Sequence, residues 1–187
     1  MAAQNEYLEA YSEITNIGTG NAATALASFL HRQVHLDPPR AHEMDLFGAV
    51  ELLVEESRNT SVVLLECNGD LDGLITLFIE DPAPYLEALG ATPELAEPAI
   101  AEIGNIFAAR FLEAIGSMLG LVGHHSPPAT AVGDRSAIMQ TILAMAAGAE
   151  TFTLVRTLMS LEDGSSPAEL VYFPGESALG HVKSLLA

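Results

Sequence analysis

The chain has 187 residues, 49% of them apolar, and a net charge of −18 from 7 Lys and Arg against 25 Asp and Glu. A chain of this length buries about two thirds of its unfolded surface, so the composition describes one globular domain over 1–187 rather than a disordered polymer. So few cations make nucleic acid and anionic membranes poor partners. Cys67, alone, cannot form an internal disulfide, Met1–Glu6 lacks a signal-peptide pattern, and no apolar run approaches the ~20 residues of a membrane span, so a cytoplasmic protein is expected.

In chain order, residues 5–30 place apolar side chains at three- and four-residue intervals and predict a long helix. Pro38-Pro39 and a short segment follow, then a helical stretch at about 46–56. Two apolar, β-branched runs, Thr60–Cys67 and Leu71–Ile79, joined by Asn68-Gly69, predict a hairpin, and a short helix at Pro82–Leu89 closes the half. The order then recurs. A long helix is predicted at 94–119, Pro127-Pro128 follow, and a helical stretch is expected at about 134–148. The runs Thr151–Leu161 and Ala168–Phe173 flank Asp163-Gly164 and Ser165-Ser166-Pro167, and Gly175–Leu186 predicts the last helix.

An offset of 89 carries Glu13, Ile14, Asn16 and Ile17 onto Glu102, Ile103, Asn105 and Ile106, and Pro38-Pro39 onto Pro127-Pro128. Ten identities fall in the 27-residue window from 13 to 39. A period this long, occurring twice, describes half-repeats of about 1–90 and about 91–187 rather than an open array. The expected fold class is α/β (α+β): a sandwich-like domain whose hairpins pair across a pseudo-twofold axis, with the long helices on the outside of the sheet.

At ~100° per residue, Glu9, Glu13, Asn16 and Gly20 share one face of the first helix, opposite Tyr7, Tyr11, Ile14, Ala22 and Leu26. Pro98, Glu102, Asn105 and Ala109 share the matching face of the second, opposite Ile100, Ile103, Phe107 and Phe111. A lone Glu-x-x-Asn is ordinary helix surface. Its recurrence is not, because any polar residue would satisfy solvent and Asn is a mediocre helix former. Gly18 and Gly20 beside the first pair suggest close approach of a partner. A carboxamide can orient an attacking water without titrating, as Gln does in small GTPases. Glu13 and Glu102 could pair with a partner's cation, and with too few ligands nearby for a metal, any metal ion would come from that partner.

These residues closely resemble the CheC family of phosphatases that act on phosphorylated CheY in chemotaxis. The family motif is Asp or Ser, three residues, Glu, two residues, Asn, twenty-two residues, Pro. Glu13, Asn16 and Pro39 fit it, as do Glu102, Asn105 and Pro128. The segment Glu13–Ala23 and the hairpin Gly69-Asp70-Leu71-Asp72-Gly73 are also similar to CheC, and two motifs favour CheC over single-motif CheX. The leading positions depart from the pattern as Glu9 and Pro98, the latter a potential helix kink unless the helix starts there, with Thr92-Pro93 a competing start signal. The resemblance implies a monomeric phosphatase in which Asn16 and Asn105 place the water and Glu13 and Glu102 contact a CheY lysine. CheY would bring the aspartyl phosphate and Mg²⁺, and no cofactor or metal would be bound by this chain. The receptor deamidase CheD is a second implied partner. A catalytically silent CheY-phosphate adaptor and a CheD scaffold are the competing readings.

Other signals are weaker. Gly18-x-Gly20-x-x-Ala23 follows a helix rather than a strand and is no dinucleotide fingerprint. His124-His125 reads as loop, Cys67 as a small core residue, and Met139, Met145 and Met159 as core filler.

Overall fold

The computed structural model describes residues 2–53, 59–146 and 151–185, with side chains from residue 6. The long helices are α1 (Ala2–Leu30) and α4 (Ala96–Leu119), and between them come β1 (Val34–Leu36), β2 (Arg40–Met44), α2 (Leu46–Leu53), β3 (Asn59–Gly69), β4 (Gly73–Ile79) and α3 (Ala83–Ala88). After α4 come β5 (Gly123–His125), β6 (Ala129–Asp134), α5 (Arg135–Ala146), β7 (Phe152–Leu161), β8 (Ala168–Pro174) and α6 (Glu176–Leu185). The expected ends of α2 at 54–56, of α5 at 147–148 and of α6 at 186 lie outside the described residues.

The strands form one sheet in the order β1-β7-β8-β4-β3-β5, with β2 also on β7 and β6 also on β3. Exchanging the two halves leaves that order unchanged. The two hairpins join at its centre, where β4 and β8 run antiparallel from Gly73↔Pro174 to Ile79↔Ala168. Each hairpin's outer strand is flanked by short strands from the other half: β1 and β2 lie on β7, and β5 and β6 on β3.

Those four short strands are additions to the sequence reading. Arg40-Ala41-His42-Glu43-Met44 has no apolar alternation, and a three-residue strand carries no period at all. His124 and His125 are accordingly strand, not loop. The hairpin turn is also longer than Asn68-Gly69 suggests. β3 pairs with β4 only as far as Cys67↔Gly73, while Asn68 and Gly69 stay in β3 by pairing with β5. Gly69 (φ 87°) and Gly73 (φ 138°) take backbone shapes that need glycine, and Leu71, expected in β4, is a buried turn residue.

The sheet has an apolar layer on each face. Alternation along β8 turns Leu170 and Tyr172 to the α1–α4 side, with Leu26, Phe107 and Phe111, and Val171 and Phe173 to the α2–α5 side, with Leu53, Met139 and Leu143. Met139 and Met159 are core as expected, but Met145 is 52% exposed. Cys67 is a buried core thiol, which burial pushes up to about 12.

A buried ionic group ties α5 to the sheet. Glu169 on β8 accepts from Arg135 at the start of α5 and from Arg156 on β7, and the Arg135 guanidinium lies 4.7 Å from the Phe78 ring centroid. Arg40 sits opposite Arg156 across the β2–β7 ladder, a like-charge juxtaposition that Glu169 offsets. Partners 13 and 34 residues apart meet only through the sheet, so no local pattern announces this group.

Candidate functional site

The motif's proline marks a break in an edge strand. Along β3, the flanking strand is interrupted between β5 and β6 at Ser126-Pro127-Pro128, where two residues without N–H groups cannot continue the ladder. Ser126 fastens the break: its N–H donates to the Glu66 carbonyl at 2.8 Å, and its hydroxyl accepts from the Glu66 N–H at 3.1 Å. Pro127 and Pro128 then line a depression of about 560 Å³ together with Glu102, Asn105, Pro98, Ala101, His125 and Ser126. The helix pair and the distant proline of the second motif thus share one surface.

Within that depression the Asn105 amide nitrogen donates to a Glu102 carboxylate oxygen at 3.3 Å. An ionised carboxylate only accepts, which fixes the amide's orientation and leaves the Asn105 carbonyl oxygen as the acceptor available to a water. Asn105 is half-buried and Glu102 exposed. Asn105 also borders an open groove between α1 and α4, lined by Ile17, Asn21 and Thr24 on one side and Ala109, Arg110 and Glu113 on the other. Arg110 there is held by Glu113 at 2.6 Å.

Pro98 does not kink α4. Thr92-Pro93 starts a 3₁₀ turn, Pro93–Leu95, and the α-helix proper begins at Ala96, so both start signals are used and the helix expected from 94 is divided. Pro98 falls in the first turn, where an N–H would have no intrahelical acceptor.

The first motif is arranged differently. Glu13 and Asn16 are both exposed, and among the described residues no hydrogen bond joins them. The strand break at Asp37-Pro38-Pro39 is anchored by the Asp37 N–H on the Leu158 carbonyl at 2.9 Å and by the Thr157 hydroxyl on the Asp37 carbonyl at 2.6 Å. Pro39 is buried, and the Ala41 N–H donates to the Ser12 hydroxyl at 2.9 Å, clipping β2 to α1. The neighbouring Ile17 is 45% exposed.

Gly18 has a different use from the one its position suggests. It is buried, and a Cβ there would stand 2.8 Å from Phe111 and 3.0 Å from Ile115, so it lets α1 and α4 pack closely rather than admitting a partner. Gly20 is exposed with open space around it. Gly104, between Glu102 and Asn105, would place a Cβ 2.5 Å from Val63 and so sets how closely α4 lies on β3. Gly18 and Gly20 stand out in the sequence and Gly104 does not, because the Val63 side chain that Gly104 admits comes from a distant strand.

Among the described residues no cluster of three or more His, Cys, Asp and Glu could hold a metal ion, and no helix is long and apolar enough to cross a membrane.

Known proteins share this segment and this fold. A CheC-like family model matches residues 10–43, which contain the first Glu-x-x-Asn pair and its proline. The CheY-P phosphatase CheC of Bacillus subtilis (strain 168) is 26% identical over 138 residues, covering 67% of this chain and 66% of that protein, so the chain spans about two thirds of the relative's length. The crystal structure of Thermotoga maritima FliY superposes with a TM-score of 0.75 at 20% identity, covering 96% of this chain and 94% of the crystallised chain. A chain of the CheX–CheY–BeF₃–Mg²⁺ complex of Borrelia burgdorferi matches with a TM-score of 0.55 at 17% identity, over 85% of this chain and 96% of that one. The resemblance to the CheC-like family thus holds in sequence at the first motif, and the likeness in fold extends over nearly the whole length.

Proposed function

We propose that this chain hydrolyses the aspartyl phosphate of a CheY-type receiver domain. Asn105, and Asn16 at the first motif, orient the attacking water through the side-chain carbonyl, while Glu102 and Glu13 pair with a lysine of the receiver and set its approach. The water oxygen bonds to phosphorus as the bond from phosphorus to the aspartyl oxygen breaks. The electron pair leaves on the aspartate carboxylate, and the water's proton passes to phosphate and solvent. The receiver contributes the phosphoryl group and its Mg²⁺, and this chain contributes position rather than an acid or base.

The Asn105–Glu102 hydrogen bond beside Pro127-Pro128 carries the proposal, because it presents a carboxamide oxygen on an accessible surface. Two likenesses support it: the fold of a chain in a CheX–CheY complex, and a distant relative named a CheY-P phosphatase. A CheD-type deamidase is the other partner this reading admits, detectable as a co-eluting complex.

The test is phosphate loss from a receiver phosphorylated by a small-molecule donor and then stripped of it. Wild type accelerates the loss, and Asn16→Ala/Asn105→Ala returns it to the receiver's own rate. Binding of the phosphorylated receiver with unchanged decay would replace the enzyme by an adaptor.

A further inference from the structure

The sequence gives His125 no use, yet its side chain belongs to the depression that holds Glu102 and Asn105. Its position is built. The backbone pairs opposite Cys67 on β3, and Nδ1 lies 2.9 Å from the Ser126 carbonyl oxygen, in the loop that Glu66 fastens from β3. A carbonyl only accepts, so Nδ1 carries a proton and Nε2 is the nitrogen left for a ligand. By the 89-residue offset the first half has Leu36 at this place, so the imidazole belongs to the second motif alone.

The groups around it are few. α4 brings Glu102, β3 brings Glu66 and the Cys67 thiol, and His124 is the neighbour on β5. The thiol is neutral across the ordinary pH range because burial pushes it up to about 12. Among the described residues no Lys or Arg lines the depression, and His125 is the one side chain lining it that can become a cation.

We propose that His125 is a phosphoryl-binding residue of the second site, donating from Nε2 as imidazolium to a non-bridging oxygen of the receiver's phosphoryl group. This rests on the phosphatase reading and adds a specificity determinant to it. The neutral ring offers Nε2 only as an acceptor, which a phosphoryl oxygen cannot use, so the contact forms on protonation and strengthens as pH falls. Asn105, which does not titrate, keeps its orientation of water throughout.

The experiment measures phosphate release in an Asn16→Ala background, which leaves only the second site, from pH 6 to 8.5 with the receiver's own decay subtracted at each point. KM rises about five- to tenfold with pH while kcat stays nearly level, as expected of a contact made equally in ground and transition states. His125→Gln, which cannot become a cation, and His125→Leu, which copies the first half, both give a flat profile at the high-pH KM with an unchanged Tm. A retained pH slope in His125→Gln overturns the proposal, as does an equal fall of kcat at every pH, which marks a structural role. If wild type releases no phosphate, the phosphatase reading fails separately. The same pH series is then read as Kd for the phosphorylated receiver, where a slope lost in His125→Gln supports the contact and a slope retained overturns it.

Discussion

The two halves share an order of elements but finish their Glu-x-x-Asn surfaces differently. In the second, Asn105 is half-buried, bonded to Glu102 and set beside Pro127-Pro128 and His125. In the first, Asn16 stands exposed next to Ile17, and the proline that should complete the surface is buried while β2 is clipped to α1 through Ser12. The difference extends to the hairpins, since β8 carries the buried Glu169 whereas β4, Gly-Leu-Ile-Thr-Leu-Phe-Ile, carries no charge. A repeat in sequence therefore supplies two copies of a pattern, and the neighbours each copy folds against decide how firmly its side chains are held.

The largest effect should come from the buried ionic group of Glu169, Arg135 and Arg156, which among the described residues lies in the second half. Glu169→Gln keeps the shape but leaves Arg135 and Arg156 without the carboxylate both use, and should cost about 3–5 kcal/mol, read as a lowered urea midpoint. An ordinary surface substitution such as Glu113→Gln should stay within about 0.5 kcal/mol. If Glu169→Gln behaves the same way, the hairpins do not differ energetically.

Next in size is the contrast between the motifs themselves. Removing a preorganised polar group that acts in the transition state typically costs about 10²–10³ in rate. Asn105→Ala should lose rate on that scale, and Asn16→Ala less, because Asn16 is not held by its glutamate in the free protein. Equal losses in the two single variants would show that docking of the receiver orders the first site as well as the second.

The glycines give a smaller and purely structural comparison. Gly104→Ala puts a methyl group 2.5 Å from Val63, and Gly18→Ala puts one 2.8 Å from Phe111, so each should destabilise by about 1–3 kcal/mol. Gly20→Ala meets nothing and should stabilise by up to about 1 kcal/mol, through helix propensity. Thermal denaturation of the three variants separates glycines that serve packing from one that does not.

What could be read from the sequence follows from how local each signal is. The long helices, the β4–β8 class of hairpin strand and the shared face of Glu102 and Asn105 are encoded by periods of 3.6 and 2 within one segment. The proline 23 residues after Asn105 was legible as spacing, but its meaning was not, because the strand break it occupies exists only when β5 and β6 lie on a strand from the other half. Gly18 misled for a related reason: a small residue beside a polar pair looks the same in sequence whether a partner or α4 approaches it. Glu169, Arg135 and Arg156 show the limit most clearly, since three charged residues on three elements become one buried group only after the sheet is assembled.

The smallest expected effect tests whether the second half is also the better finished one at its helix end. α4 stops at Gly120 in the left-handed conformation, φ 70°, with its N–H on the Gly116 carbonyl, as glycine allows without steric cost. The residue 89 places earlier is His31, which takes φ 54° after α1, where a Cβ makes that conformation unfavourable by about 1–2 kcal/mol. His31 is exposed, so replacing it removes little packing. Glycine's greater freedom in the unfolded chain returns about 0.4–1 kcal/mol of that gain. His31→Gly should therefore raise stability by several tenths of a kcal/mol, and Gly120→His should lower it by a comparable or larger amount. A fall in stability for His31→Gly would mean that the imidazole itself caps the end of α1, and that the first half solves with a side chain what the second solves with backbone.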